Sequence, residues 1–202
     1  MSGEVDARVQ RSMSAVLAAC VDLMVERGLH AVTVDSIAAR SGVAKSTIYR
    51  HWSTRDDVIA DAWRTIGRPE QPVESGDLDS DVRALLGSLA ERLDTPPLSV
   101  LVPELMAASE RDPALASLFE QVLRDRRRPI GERLRQAVDD SEMPADLDVD
   151  LAVSLLVGPL LHRRLLQREH LDERWLDQVA RTVLAACRSG TVDSPEPSAP
   201  GG

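Results

Sequence analysis

The first 27 residues alternate between apolar and polar side chains with a period close to that of an α-helix. Their apolar residues recur at intervals of three and four positions, which places them on one helix face. The pattern predicts an amphipathic helix over about 6–27, ended by Gly28, because glycine readily terminates helices. Thr33 then occupies an N-cap position ahead of a short helix over about 34–40.

Two further short helices are predicted directly after this one. A turn at 41–42 separates the second helix from a third over about 44–51. Ser53, with Asp56 three residues later, has the spacing of a capping box and predicts the start of a fourth helix over about 54–65. Four helices therefore fit into the first 66 residues.

The chain from residue 67 onward divides into a connector, a helical segment and a tail. The stretch 67–77 holds two prolines and two glycines without apolar periodicity, so it predicts a linker between domains over 1–66 and 67–190. Residues 191–202 are rich in proline, serine and glycine and predict a disordered tail. Between linker and tail, the apolar pattern predicts five helices, over about 78–93, 98–109, 113–138, 149–167 and 172–188.

The predicted fold class is all-α. No strand pattern occurs, and aromatic residues make up only 2% of the 202 residues, which disfavours sheet-rich folds. Pro103 and Pro129 fall inside two predicted helices, where proline removes a backbone hydrogen bond and bends the helix. We expect an N-terminal helix-turn-helix domain of three to four helices followed by a five-helix bundle.

Charge is distributed unevenly along the chain. There are 24 basic and 33 acidic side chains, a formal net charge of −9. Residues 1–66 have 8 of each sign, so the remaining residues supply the whole excess. Within 33–55 four basic side chains stand against Asp35 alone, a local charge of +3. This segment is therefore less repellent toward a polyanion than the rest of the chain.

The cysteines and the N-terminal residues indicate the cellular compartment in which we expect the protein. Cys20 and Cys187 lie in apolar helical patterns without a CxxC or Cys/His cluster, so we expect buried free thiols. The N-terminus has no apolar signal segment, and the longest apolar run, over 151–161, is too short to cross a bilayer. We expect a cytoplasmic, soluble protein with no cofactor and no membrane partner.

Residues 33–55 contain two short helices joined by a glycine-containing turn, the arrangement of a helix-turn-helix. In that motif the second helix lies in the major groove of DNA, with one face toward the base edges. The segment 45–50 spans the turn and a half that this needs and interleaves hydroxyl donors with basic residues. Val43, Ile48 and Trp52 would form the inward face. The alternative is that these charges form only a solvated surface.

The same segment resembles the TetR family of one-component transcriptional regulators. The family pattern T-x-x-x-I-A-x-x-x-G-V-x-x-x-T-[IL]-Y-x-[HY]-[FW] is matched at every fixed position between Thr33 and Trp52, and the resemblance covers about 9–66. It implies a homodimeric repressor that binds a pseudo-palindromic operator in double-stranded DNA. It also implies that phosphates are held by Thr33, Tyr49, His51 and Arg55, and that bases are faced by Lys45, Ser46, Thr47 and Arg50.

Simpler roles remain open for several of these residues. Thr33 is a helix cap on either view, and the Tyr49 hydroxyl could instead satisfy a partner in the core. The run 124–128 contains four arginines and predicts an exposed helix face, with contact to an anion or to DNA as the alternative.

The C-terminal segment resembles the family in layout, as a variable ligand-binding and dimerisation bundle. The predicted helix over 149–167 is apolar nearly all round, which requires burial on two sides. One side can face the bundle and the other a second subunit, with the last helix contributing a further apolar stripe. The candidate dimer-interface residues are Leu151, Leu155, Gly158, His162, Leu165, Trp175, Val179 and Val183.

A small, largely apolar effector is the ligand that this bundle would accept. Pro103 within a predicted helix, next to Met106, indicates an irregular wall where a cavity could open. Core packing explains each of the candidate residues equally well. The candidates are Leu89, Leu93, Val102, Met106, Phe119 and Val122.

The sequence contains no motif that indicates nucleotide binding, metal binding or catalysis. The segment 42–46 lacks the glycines of a phosphate-binding loop, and His162 and His170 have no companion ligands for a metal. No nucleophile motif is present, so we expect no enzyme. The alternative function is a helical ligand-binding protein or enzyme with a vestigial helix-turn-helix, and a third is a protein–protein adaptor using the acidic C-terminal surface.

Overall fold

The computed structural model describes residues 2–66 and 75–192, which form nine α-helices and no strand. The predicted all-α fold class is confirmed. None of the helices in these residues combines the length and apolar character of a membrane span. The helices are α1 (Ser2–Arg27), α2 (Val34–Ser41), α3 (Lys45–His51), α4 (Arg55–Thr65), α5 (Leu78–Asp94), α6 (Leu98–Ser109), α7 (Pro113–Asp139), α8 (Val149–Leu161) and α9 (Glu173–Arg188).

The described residues form two compact units. The first unit contains residues 2–66 together with Thr95–Leu123, and the second contains 75–94 and 124–192. The predicted domain boundary after residue 66 stays a prediction. Most of the predicted linker and of the predicted tail lies outside the described residues. Within the predicted tail, Val192 is buried and its carbonyl oxygen accepts a hydrogen bond from the Asp148 amide at 2.9 Å.

The first unit is built around α1, which packs against α2 and α4. Its apolar stripe is removed from water, as the three-and-four spacing predicts, and it meets buried residues of the neighbouring helices. The side chains that are at most 2% exposed include Val16, Cys20, Leu23 and Met24 of α1, Ile37 of α2, and Val58, Ile59 and Trp63 of α4.

Helix α6 also belongs to the first unit and holds the chain segment between α1 and α2. Glu104 of α6 accepts a hydrogen bond from the Leu29 amide at 2.9 Å, at the start of a short 3₁₀ turn, Leu29–Ala31. Gly28 has φ 81°, and a Cβ built there would lie 3.2 Å from Glu104 Oε1. Glycine is therefore favoured at this position, first by its backbone conformation and second by the close approach of the carboxylate.

A buried ion pair joins α5 to α7 in the second unit. Arg133 Nε donates to Asp81 Oδ2 at 2.8 Å, and both side chains are almost fully buried. Asp81 Oδ1 also accepts from the Ser75 amide and hydroxyl at 2.8 and 2.7 Å. Burial favours a raised pKa for Asp81, but the hydrogen bonds from Arg133 and Ser75 outweigh it and hold the pKa below its usual value. The carboxylate is therefore charged at neutral pH.

The structure differs from the predicted start of the fourth helix by one residue. The N-cap of α4 is Thr54, not Ser53, and its partner in the capping box is Asp57, not Asp56. The Thr54 hydroxyl accepts from the Asp57 amide at 3.1 Å, and the Asp57 carboxylate accepts from the Thr54 amide at 2.8 Å. Both registers offer a hydroxyl and a carboxylate three residues apart, so the sequence spacing alone does not choose between them.

The helix predicted over 149–167 covers those residues but changes its hydrogen-bonding type within them. Its α-helical hydrogen bonding ends at Leu161, and His162–Gln167 continues as a π-helix. A π turn holds more residues than an α turn, so the apolar face projected from α8 does not continue in register. Pro103 and Pro129 do not end α6 or α7, which continue through them.

The cap assignment gives a test of local stability. Thr54→Ala removes a capping hydrogen bond and is expected to lower the free energy of unfolding by about 1 kcal/mol. Urea denaturation followed by circular dichroism at one protein concentration measures this change. Ser53→Ala is the matched control, expected to stay within about 0.5 kcal/mol of the parent. The reverse order of effects would return the cap to Ser53.

Candidate functional site

The turn between α2 and α3 has the geometry of a helix-turn-helix corner. Gly42 lies in the left-handed region at φ 70° and ψ 9°, and its amide donates to the Ala38 carbonyl at 3.0 Å. This ends α2 and redirects the chain within three residues. Ile37 and Ile48 are fully buried, so each helix of the pair is anchored by an apolar side chain.

Helix α3 turns a polar face toward solvent. Ser46, Tyr49, Arg50 and His51 are exposed, with Tyr49 54% exposed, while Thr47 is half-buried. Within the described part of the chain, Ser46, Tyr49 and Arg50 make no side-chain hydrogen bond or ion pair. These donors are therefore free to meet an external acceptor, and the exposure of Tyr49 removes the alternative that its hydroxyl satisfies a core partner.

Carboxylates accompany the other basic residues of the segment. Lys45 Nζ lies 2.5 Å from Asp35 Oδ1, and both side chains are more than half exposed. Arg40 donates to both carboxylate oxygens of Glu26, a contact that lowers the pKa of Glu26. Exposed pairs of this kind contribute less than about 1 kcal/mol each, so an anionic partner can replace the carboxylate.

Arg55 is more strongly engaged than the sequence indicates. Its Nε donates to Asp56 Oδ1 at 2.9 Å and its Nη1 to the Val32 carbonyl at 3.4 Å, and the side chain is 31% exposed. Of the four basic side chains in 33–55, Arg50 is thus the one without an internal carboxylate partner among the described residues.

Thr33 caps α2, as predicted. Its Oγ1 accepts from the Ser36 amide at 3.1 Å, and Ser36 Oγ accepts in return from the Thr33 amide at 2.9 Å. A hydroxyl that accepts at a cap still has its own hydrogen to donate. Thr33 is exposed, so the cap and a contact to an external oxygen are compatible.

Two contacts of Trp52 fix the end of α3, one with Asp61 and one with His51. The sequence predicts only that Trp52 lies inward. Trp52 is 4% exposed, as expected of an inward residue, and its indole Nε1 donates to Asp61 Oδ2 of α4 at 2.7 Å. Arg64 in turn pairs with Asp61. His51 lies with its ring 5.9 Å from the Trp52 ring in an edge contact. The sequence alone does not identify Asp61 as the partner of Trp52, because their contact depends on how α4 packs against the end of α3.

The candidate effector residues are divided between the two units. Leu89 and Leu93 are buried in the second unit, whereas Val102, Met106, Phe119 and Val122 belong to the first. Met106 is 47% exposed and Phe119 is half-buried. The assignment of these six residues to an effector site stays a prediction.

The candidate dimer-interface residues share one property, because none of them is buried in the single chain. Leu151 and Leu155 of α8 are 43% and 40% exposed and, four residues apart, lie on one face of the helix. Trp175, Val179 and Val183 of α9 line a groove with Pro159. Gly158, Leu165 and His162 are half-buried or exposed, and Leu166, which the prediction omitted, is 73% exposed.

Among the described residues, no group of three or more His, Cys, Asp and Glu side chains is placed to hold a metal ion. Cys20 and Cys187 are buried free thiols. Burial raises the pKa of Cys20 to about 12, so its reactive thiolate form is strongly suppressed at neutral pH.

Two family descriptions match the sequence. "Bacterial regulatory proteins, tetR family" matches residues 16–62, and "Tetracyclin repressor-like, C-terminal domain" matches residues 72–183. The first match contains the helix-turn-helix described above, and the second extends over more than half of the chain.

Individual proteins show the same likeness. The uncharacterized HTH-type transcriptional regulator YdeS of Bacillus subtilis is 30% identical over 171 residues, which are 84% of this chain and 86% of YdeS. The DNA-binding transcriptional repressor TetR of Mycobacteroides abscessus is 28% identical over 181 residues, 88% and 94% of the two chains. The transcriptional regulator FadR of Bacillus subtilis, solved in complex with stearoyl-CoA, shares the fold, with a TM-score of 0.64 at 21% identity over 88% of this chain and 98% of FadR.

The backbone conformations of Gly42 and Gly87 predict opposite effects on stability when each is replaced by alanine. Gly42→Ala meets no neighbouring atom within 4 Å, so its cost is the left-handed conformation alone, about 1–2 kcal/mol of stability. Gly87→Ala in α5 also enters open space, but at a helical position, and is expected to stabilise the protein by about 0.5–1 kcal/mol. Thermal unfolding of both variants measures the contrast. A neutral Gly42→Ala would contradict the corner geometry.

Proposed function

The chain belongs to the TetR family of transcriptional regulators, and from this premise we propose that it is a homodimeric repressor that binds a pseudo-palindromic operator in double-stranded DNA through α2 and α3. The observation that carries the proposal is the exposed polar face of α3, with Arg50 unpaired and Ser46 and Tyr49 free to donate. The proposal includes no catalytic activity and places the protein in the cytoplasm, where DNA is available to it.

The roles of the individual side chains follow from their surroundings. Arg50, Lys45, Ser46 and Thr47 are proposed to face base edges, since they lie on a helix of the length and exposure that the major groove admits. Thr33, Tyr49 and His51 are proposed to donate to phosphates, and Arg55 to join them when it exchanges Asp56 for a phosphate oxygen.

A two-fold dimer makes this binding mode geometrically specific. Two copies of α3 about 34–36 Å apart can enter successive major grooves of one duplex. The exposed Leu151 and Leu155 and the groove along α9 are proposed to form the contact between the subunits, because apolar surface of this kind is stabilised by burial.

Release from DNA is proposed to depend on a small, largely apolar effector. Such a ligand acts only if it binds one packing of the helices more tightly than another, so that the separation of the two α3 helices no longer fits the groove spacing. The stearoyl-CoA complex of FadR, a protein of the same fold, supports a ligand with an apolar portion.

Selection of bound fragments from random duplex DNA tests the proposal as a whole, with the recovered sequence expected to be an inverted repeat. Arg50→Ala and Lys45→Ala are then expected to weaken binding to that sequence by about 1–3 kcal/mol each if they contact bases, and by less if they contact phosphates. Arg174→Ala on α9 removes an exposed charge in the second unit and is the control for net charge.

Fluorescence anisotropy at several salt concentrations measures these affinities, because phosphate contacts also set the salt dependence. Unchanged binding in both the Arg50 and Lys45 variants would refute the assignment of α3. The alternative of a helical ligand-binding protein or enzyme with a vestigial helix-turn-helix predicts no salt-dependent affinity for any duplex.

The subunit contact has a separate test. Leu155→Glu places an unpaired charge in the proposed interface and is expected to shift the equilibrium toward monomers by about 3–5 kcal/mol. Sedimentation equilibrium measures the shift, and circular dichroism checks that the helices persist, as the 40% exposure of Leu155 leads us to expect. Val100→Glu, at an exposed valine of the first unit, should leave the dimer intact. An intact Leu155→Glu dimer would place the contact elsewhere, and equal dissociation of both variants would indicate a general effect of the added charge.

A further inference from the structure

A groove lined by arginines lies in the second unit, between the later part of α7 and the first turns of α8. We call it the arginine groove. It has a volume of about 600 Å³, within the range of small-molecule sites. Its lining residues are Arg124, Asp125, Arg127, Arg128, Gly131 and Arg135 of α7, and Asp150, Val153 and Ser154 of α8.

Helical spacing gathers the arginines on one side of α7. Arg124, Arg128, Gly131 and Arg135 follow each other at intervals of four, three and four residues, which makes one continuous stripe, and Arg127 lies beside it. A Cβ at Gly131 would lie 3.3 Å from Arg135 Nη1 and 3.7 Å from Val153 Cγ2. Glycine weakens a helix interior by about 0.5–1 kcal/mol relative to alanine, but here its missing side chain leaves room for the guanidinium.

The positive charge of the groove exceeds its negative charge. Four arginines and two aspartates, Asp125 and Asp150, line the groove in a chain whose net charge is −9. Outside the lining, Glu132 lies 3.8 Å from Arg128 Nε, and both of these side chains are about 60% exposed. The Arg135–Asp150 contact, at 3.5 Å, joins two side chains that are 56% and 92% exposed. Such an exposed pair is weak and can open when a stronger anion arrives.

Arg127 has a buried hydrogen-bond donor that lacks an acceptor. Its Nε is buried without a hydrogen-bond partner, and within the described residues the side chain makes no hydrogen bond or ion pair. A buried N–H that lacks an acceptor is unfavourable, and a guanidinium that turns toward an oxygen bound in the groove would relieve this.

We propose that the arginine groove binds a small molecule carrying a phosphate or diphosphate group. Guanidinium forks match the paired oxygens of phosphate, and several of them can share the oxygens of a diphosphate, whereas one carboxylate offers only two oxygens. The groove is concave, and Asp125 and Asp150 interrupt its positive surface, which favours a compact group over the continuous backbone of a nucleic acid. This site does not rest on the proposed DNA binding by α3.

Isothermal titration of the full chain with inorganic pyrophosphate, at constant ionic strength, tests the proposal. We expect saturable binding that weakens about tenfold or more in Arg127→Gln and in Arg128→Gln, since each removes a charge-assisted hydrogen-bonding group. Arg128 is exposed, so its variant retains the fold even if the half-buried Arg127 variant is less stable. Arg174→Gln, an equal loss of charge on α9 outside the groove, is the matched control and should bind as the parent does.

Three outcomes would overturn the proposal. The first is the absence of saturable pyrophosphate binding. The second is equal weakening by Arg174→Gln, which would indicate a general effect of net charge. The third is loss of DNA affinity in the Arg127 and Arg128 variants with pyrophosphate binding unchanged, which would make the groove a nucleic-acid contact.

Discussion

A helix as short as α3 does not hold its own orientation, and the proposed DNA binding depends on how that orientation is imposed. Seven residues are too few for a stable isolated helix, so packing must supply the stability. The buried Ile48 anchors its middle and Trp52 its end, where the indole reaches Asp61 of α4. The left-handed Gly42 sets the direction of entry. The polar face of α3 is thus presented by a rigid support.

Acidic residues partly neutralise the positive charge of the helix-turn-helix surface. The carboxylates of Asp35, Glu26 and Asp56 each hold one basic side chain at close range. A polyanion must displace them, so binding is an exchange of ionic partners that favours oxygens arranged as the protein requires. The unpaired Arg50 enters that exchange with no internal partner to lose among the described residues.

Sequence reasoning recovered the helices and the corner because each has a local signal, such as the cap at Thr33 and the glycine at 42. It failed where two local signals compete or where the determinant is distant. Ser53 and Thr54 both have a carboxylate three residues on, and the structure has the cap at Thr54. The π turn after α8, the Trp52–Asp61 bond and the space above Gly131 depend on neighbours that periodicity does not identify.

The hydrogen bond from the Leu29 amide to Glu104 crosses 75 positions of sequence. A fragment cut after Ile66 would therefore lose the acceptor that α6 supplies and leave that amide to solvent. Fusing residues 2–66 to the C-terminal domain of another regulator would meet the same difficulty. That domain would have to supply a glutamate at the position that Glu104 occupies here. The helix-turn-helix segment is thus continuous in sequence, but the compact unit that contains it also includes residues from later in the chain.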